Sequence, residues 1–415
     1  MPQRVVLAYS GGLDTSVLIA WLQEEVGAEV IAVTVDVGQD EDLSAVAARA
    51  KAIGASAVEI VDAKEEFMDG YIAPAIQANA LYEGVYPLGT ALARPLIVKH
   101  LVKAAHAHDA DAVAHGCTGK GNDQVRFEVG VAALDPSLKV LAPARTWGMS
   151  REQEVDYALA RDIPLTVTKA KIYSVDENLW SRSIEGGRLE DPDVEPTEDV
   201  FLWTTSPFLA PSEPEYVDIV FDGGIPVEAA GETDPVGIIR FLNTLAGSHG
   251  VGRIDHVESR VVGIKSREVY EAPAATVLLA AHKALEALVL PRDLLRFKSS
   301  VEARFSELVY DGLWYTPLRD ALQAFVASSQ ARVTGRVTVK LYKGSACVTG
   351  RESPHALYDL ALATYGSGDV FDQAAAAGFV QLWGLPSKVW AQAGRKRKVA
   401  IAKEVDARAA AVSAP

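Results

Sequence analysis

The chain has 415 residues, 49% of them hydrophobic and 23% charged, with a formal net charge of −15. That composition belongs to a soluble globular protein too long for one ordinary core, so two domains and a tail are expected. The acidic balance disfavours a nucleic-acid partner. Two distant cysteines, Cys117 and Cys347, exclude a disulfide scaffold and a four-cysteine zinc site and fit a reducing cytoplasm.

The opening "MPQRVVLAYSGG" is expected to carry no cleaved leader, because no apolar core follows a basic end. The stretch "RVVLAYS" is β-branched and stops at Gly-Gly, which predicts a buried parallel strand. "DTSVLIAWLQEEVG" predicts a helix with Gly27 as its C-cap. A strand "EVIAVTVDVG", a helix "EDLSAVAARAKAIG" and a strand "SAVEIVDA" follow. Next come a helix over "ARPLIVKHLVKAAHAHDA" and a strand running into a glycine-rich loop, "DAVAHGCTGKGND". This alternation predicts a doubly wound parallel sheet, with ligands at the carboxyl ends of its strands.

The rhythm changes after Pro164. Residues 183–207 are rich in acids, Gly and Pro and read as an irregular connection. A hairpin is expected around Asp222-Gly223-Gly224, a strand within 260–273, helices over 274–290 and 293–311, and a meander turning at Lys343-Gly344-Ser345. The apolar run "AATVLLAAHKALEALVL" carries His282, Lys283 and Glu286, so it is a core helix and no membrane partner is expected. From about Leu357 the chain is Ala-rich and helical, with little core of its own, and is expected to pack on another subunit. The basic run Arg395–Lys398 reads as a solvated helix face. His100, His106 and His108 lack metal-ligand spacing and read as surface or packing residues.

In "AYSGGLDTS", residues 8–16, a strand end, two glycines and a helix start coincide. Unpaired N–H groups and the helix dipole then face one point, which is an anion site, and Ser10, Thr15 and Ser16 can add hydroxyl donors. Neither the Walker lysine nor a Gly-x-Gly-x-x-Gly spacing is present. The string resembles the pyrophosphate (PP) loop of the N-type ATP pyrophosphatases, enzymes of the adenine nucleotide alpha-hydrolase-like fold. That resemblance implies ATP as co-substrate, with Asp14 helping to hold Mg²⁺ on its phosphates. It implies neither a protein-caged metal nor a tightly bound cofactor.

The second dense stretch, "GCTGKGNDQVRFE" (116–128), mixes glycines with donors and acceptors of both signs. Such a mixture suits a zwitterionic substrate. With "VYPLGTALARP", "YSVDENLWSRSIEGGRLEDP" and "ESRVVGIKSREVYEAP", it resembles the argininosuccinate synthase family over nearly the full length. The resemblance implies an ATP pyrophosphatase domain over 1–168, an α+β synthetase domain over 169–360 and a C-terminal helical arm over 361–415. It implies a homotetramer, and ligation of L-citrulline and L-aspartate through a citrullyl-AMP, releasing AMP and pyrophosphate.

Carried onto this chain, the resemblance places ATP on Ala8, Tyr9, Ser10, Gly11, Gly12, Leu13, Asp14, Thr15 and Ser16, on Val35 and on Gly116. It places aspartate on Thr118, Asn122 and Asp123, and citrulline on Tyr86, Asn122, Arg126, Ser174, Ser183, Glu258 and Tyr270. Asp14 and Asp123 are the carboxylates expected to serve the chemistry, while Glu258 and Arg126 meet the amino and carboxylate groups of citrulline. Ala91 stands where many relatives have serine, so either a contact is missing or Thr90 supplies it. Arg94 lies close enough in sequence to the Tyr86 loop to reach a phosphate. Two other readings stay open: a different ATP pyrophosphatase, such as a tRNA thiolase or a glutamine amidotransferase, and a non-catalytic nucleotide-binding protein.

Overall fold

The structure, a computed structural model, describes residues 2–164 and 173–412. The expected domain boundary at 168/169 lies outside the described residues. The chain forms two compact units, one ending at Leu357 and one starting at Tyr358.

The first unit opens as the alternation predicts. Strands β1 (Arg4–Ala8), β2 (Glu29–Asp36), β3 (Ala57–Asp62), β4 (Ala112–Ala114) and β5 (Lys139–Leu141) form a parallel sheet in the order β3-β2-β1-β4-β5. Helices α1 (Leu13–Trp21) and α2 (Leu43–Ile53) cover one face: Val5 and Leu7 pack there against Leu18, Leu22, Val46 and Ala50. Short helices α3 (Lys64–Phe67) and α4 (Ala73–Gln77) and the long α5 (Gly89–Ala107) cover the other, where Val6 meets Leu92 and Leu96. Sequence reading missed α3 and α4 and started α5 four residues late. Gly27 and Gly54 cap their helices with φ of +70° and +113°, as expected, although the last turn before Gly27 is π-helical. Helices α6 (Asp123–Leu134) and α7 (Arg151–Leu159) follow.

The chain leaves β1 for β2 and β3 on one side and returns to β4 on the other. The carboxyl ends of β1 and β4 are therefore the topological switch point, where such sheets bind ligands.

The remainder of this unit is α+β. Residues 183–207 are largely irregular, as expected, apart from Ser183–Glu185 at the end of a strand and two 3₁₀ turns, Gly187–Glu190 and Glu198–Val200. Strands β6 (Ser174–Glu177) and β7 (Arg182–Glu185) join β10 (Arg253–Ser259) and β11 (Lys265–Glu271) in an antiparallel sheet of order β10-β11-β7-β6. Residues 260–264, read as strand, turn between β10 and β11 instead. A third sheet, β13-β12-β8-β9, holds the two expected hairpins: β8 (Glu215–Asp222) with β9 (Ile225–Ala229), and β12 (Gly335–Tyr342) with β13 (Ser345–Glu352). Helices α8 (Pro235–Ser248), α9 (Pro273–Val289), α10 (Arg292–Tyr310) and α11 (Pro317–Ser329) complete it, with α9 buried as a core helix.

The second unit contains α12 (Leu360–Ala363), α13 (Ala375–Trp383) and α14 (Leu385–Val412). The expected arm boundary at 360/361 falls inside α12. Residues Arg395–Lys398 are exposed on α14. Among the described residues no helix is long and apolar enough to cross a membrane.

Candidate active site

Two glycine loops meet at the switch point. Gly11 turns the chain out of β1 at φ +73°, a conformation that favours glycine. Gly12 is the N-cap of α1, and no side chain caps it, so the first-turn N–H groups remain for a ligand. The hydroxyls of Ser10 and Thr15 lie 3.2 Å apart, as do those of Tyr9 and Ser16. Gly116, after β4, packs directly on α1: a Cβ there would lie 3.4 Å from Thr15 Cγ2 and 3.7 Å from Asp14 Cβ. Ala8 to Ser16 and Gly116 therefore form one cluster. Val35 lies at the carboxyl end of the neighbouring β2, with its side chain buried.

Asp14 has an acidic neighbour that sequence reading missed. Glu154, buried on α7, is pushed up to about 8 by burial and by the Asp14 carboxylate beside it. A cation at this pair would relieve that repulsion. Among the described residues no three His, Cys, Asp or Glu side chains converge as a metal cage.

Asn122 and Asp123 start α6. The Asn122 side chain does not cap the helix. Its amide donates to Tyr310 Oη at 2.8 Å and its oxygen accepts from Val261 N–H at 2.9 Å, tying α6 to α10 and to the β10–β11 turn. Asp123 accepts from Arg94 Nε at 2.9 Å and from Arg126 Nη1 at 2.8 Å, and its side chain is 25% exposed. Burial raises its carboxyl, but the two guanidiniums outweigh that and hold it below the ordinary carboxylate range. Arg94 also pairs with Asp176, so it is engaged by two carboxylates and not free for a phosphate. Thr118 stands exposed on the loop.

Arg126 donates through Nε to the Tyr310 carbonyl at 3.0 Å, and its guanidinium lies 5.0 Å from the Tyr310 ring centre. Its Nη2 is buried with no hydrogen-bond partner. An unsatisfied buried guanidinium nitrogen is costly and fits a carboxylate ligand.

The β-register gathers the remaining residues. Tyr270 on β11 pairs with Ser183 on β7, which pairs with Asp176 on β6, and Glu258 on β10 pairs with Ser266. Cross-strand partners and i, i+2 neighbours share a face, so Ser174, Ser183, Glu258 and Tyr270 lie on one face of this sheet. Ser174 is exposed at its margin, and Glu258 and Tyr270 are buried. Tyr86 stacks on Tyr270, with ring centres 4.2 Å apart, and accepts from Thr90 N–H at 3.0 Å. The phenols of Tyr270 and Tyr310 both donate to Glu258. Burial, then neighbouring charge, pushes both phenols up, so they act as neutral donors at neutral pH.

Ala91 is buried in α5, whereas Thr90 Oγ1 lies 3.5 Å from Ser183 Oγ, so the hydroxyl at this place belongs to Thr90. His100, His106 and His108 contact Glu66, Asp135 and Glu59, away from the loops. Asp176 alternates with Ser174 and was legible in principle. Tyr310 is brought in by α10 and left no local signal.

Residues 4–164 match the family model described as arginosuccinate synthase N-terminal HUP domain, and 173–390 match the arginosuccinate synthase C-terminal domain. The chain is 55% identical to the argininosuccinate synthase of Dictyoglomus turgidum, covering 95% of this chain and 99% of that relative. It is 57% identical to those of Rubrobacter xylanophilus, covering 94% and 95%, and Thermosynechococcus vestitus, covering 94% and 98%. Both family domains and full-length relatives thus coincide with the two loops and the shared sheet face, and the chain belongs to the argininosuccinate synthase family.

Proposed function

We propose that this ligase joins L-citrulline and L-aspartate, converting ATP to AMP and pyrophosphate. The ureido oxygen of citrulline attacks the α-phosphorus, the α–β bridging P–O bond breaks and pyrophosphate leaves. The aspartate amine then attacks the ureido carbon, AMP leaves and the amine gives up a proton. A ureido carbon is a poor electrophile, and adenylation turns its oxygen into a leaving group. The protein's task is to position three ligands and balance phosphate charge.

The observation that carries this reading is the buried, unpartnered Nη2 of Arg126 beside the paired phenols on Glu258, one loop away from the uncapped helix start. Arg126 takes the citrulline carboxylate, Glu258 its amino group, and Tyr86, Asn122, Ser174, Ser183 and Tyr270 line its length. Asp123, held by Arg94 and Arg126, faces the aspartate amine, with Asn122 and Thr118 on its carboxylates. Ala8 to Ser16, Val35 and Gly116 receive ATP. Asp14, with Glu154 beside it, fits Mg²⁺, which would screen the β- and γ-phosphates.

Residues 1–168 serve as the nucleotide-binding domain, 169–360 as the synthetase domain and 361–415 as an oligomerisation arm in a cytoplasmic homotetramer. The exposed Phe379, Leu382, Trp383 and Trp390 favour the last point, since unit two leaves them uncovered. Sedimentation as a monomer would contradict it.

Pyrophosphate release that requires citrulline and aspartate together supports the assignment; release driven by glutamine or tRNA contradicts it. The thiolase alternative is further disfavoured because burial pushes the Cys117 thiol well up, away from the reactive thiolate. Gly11→Val tests the loop: its Cβ would sit 3.0 Å from Val46 at a positive φ. That strain, ~1–3 kcal/mol, should weaken ATP about fivefold or more with the circular dichroism spectrum unchanged. Unaltered ATP affinity in Gly11→Val would count against the assigned loop.

A further inference from the structure

The phosphate loop has no Walker lysine, yet a triphosphate brings about four negative charges to a place where Asp14 and Glu154 already stand close. A cation does stand beside the loop, on a neighbouring helix. Asp42 caps α2 by accepting from Ser44 and Ala45 N–H, which sets the helix so that Val46 and Arg49, three residues apart, face the loop. Val46 fills the space where a Gly11 side chain would lie. Arg49 donates through Nη1 to the Gly11 carbonyl and lies beside the Tyr9 phenol. It is half-buried, and among the described residues no carboxylate lies within ion-pair distance of it. A guanidinium so anchored keeps other N–H groups in a rigid fork suited to phosphate oxygens.

We propose that Arg49 binds the terminal phosphates of ATP and then the departing pyrophosphate. This rests on the function proposed above. When the α–β bridging bond breaks, its electron pair stays on the pyrophosphate oxygen, and Arg49 offsets the charge that develops without transferring a proton.

Calorimetric titration of wild type, Arg49→Gln and Arg49→Lys with Mg-pyrophosphate, ATP and AMP decides the matter. Glutamine can still donate to the Gly11 carbonyl but carries no charge. Arg49→Gln should bind ATP and pyrophosphate about tenfold to thirtyfold more weakly, with AMP within about twofold, and Arg49→Lys, which keeps the charge but not the fork, should recover part of the loss. Wild-type pyrophosphate affinity in Arg49→Gln overturns the proposal, because the residue then only braces the loop. An Arg49→Lys as weak as Arg49→Gln overturns it too. If Arg49→Gln does not fold, Arg49→Lys decides alone, a loss smaller than about tenfold supporting the role and a larger one refuting it. A wild type that binds neither ATP nor pyrophosphate removes the functional assignment itself, which is a separate result.

Discussion

Asp123→Asn should lower kcat/KM for aspartate by about 100-fold or more while leaving ATP affinity within about threefold. The carboxylate bridges Arg94 and Arg126 and keeps its charge because both guanidiniums face it. Asparagine preserves the shape but removes the charge that an incoming ammonium would meet, and leaves two cations facing each other. Once the substrate encloses the site, losing one partner of a hydrogen-bonded charge pair costs about 2–5 kcal/mol of binding, and each 1.4 kcal/mol is about tenfold. ATP should be spared, because the hydrogen bonds within the first loop run among Tyr9, Ser10, Gly12, Thr15 and Ser16 and none involves Asp123. Steady-state kinetics with each substrate varied, alongside ATP calorimetry, checks this. Unchanged aspartate kinetics would remove Asp123 from its role, and an equal loss for ATP would mean the site had collapsed as a whole.

Lys298→Met should cost the most stability of any change away from the site, about 3–5 kcal/mol. Lys298 is fully buried on α10, with Nζ 2.9 Å from Glu286 and 2.6 Å from Glu302. Asn79 donates to both carboxylates, Gln330 donates to Glu286, and His282 contacts Asn79 and Gln330. The cluster thus ties the chain just after α4 to α9 and α10. Burial depresses His282 and keeps it neutral, so Lys298 is the standing cation of the cluster. Methionine would leave two carboxylates with no opposing charge. Burial raises Glu286, but Lys298 and the Gln330 amide, joined by His282 only once acid protonates it, hold it below its ordinary range. An acid held low stabilises the fold above its unfolded value, near pH 4.5, and loses that contribution as pH falls through its folded value. The gap between wild type and Lys298→Met should therefore be widest above about pH 5 and shrink in acid. Urea denaturation at two pH values measures it. A difference below about 1 kcal/mol at pH 7, or one that grows in acid, would contradict this account of the cluster.

The two loops were legible because their signal is local: Gly-Gly at a strand end and an acid at a helix start need no distant partner. The parallel sheet was legible for the same reason, since β-branched runs alternate with Gly-capped helices. The partnership of Arg94 was not. Its sequence position suggested a phosphate, but the fold delivers Asp123 from α6 and Asp176 from β6 to it. Glu154, Tyr310 and Arg49 were missed because each arrives on a helix whose own pattern is ordinary. The strands hidden in 174–185 were missed because they are four residues long and rich in charge: β7 finds its partner about 85 residues later in β11, and β6 pairs only with β7. Ala91 shows the opposite lesson: the departure is visible in sequence, but that the neighbouring Thr90 hydroxyl faces Ser183 is visible only in space.

Citrulline labelled with ¹⁸O in its ureido group tests the adenylation chemistry most directly. If the ureido oxygen attacks the α-phosphorus, the label must leave in AMP, one atom per turnover, and none should appear in pyrophosphate. AMP without the label, formed while argininosuccinate accumulates, would contradict the assigned reaction path.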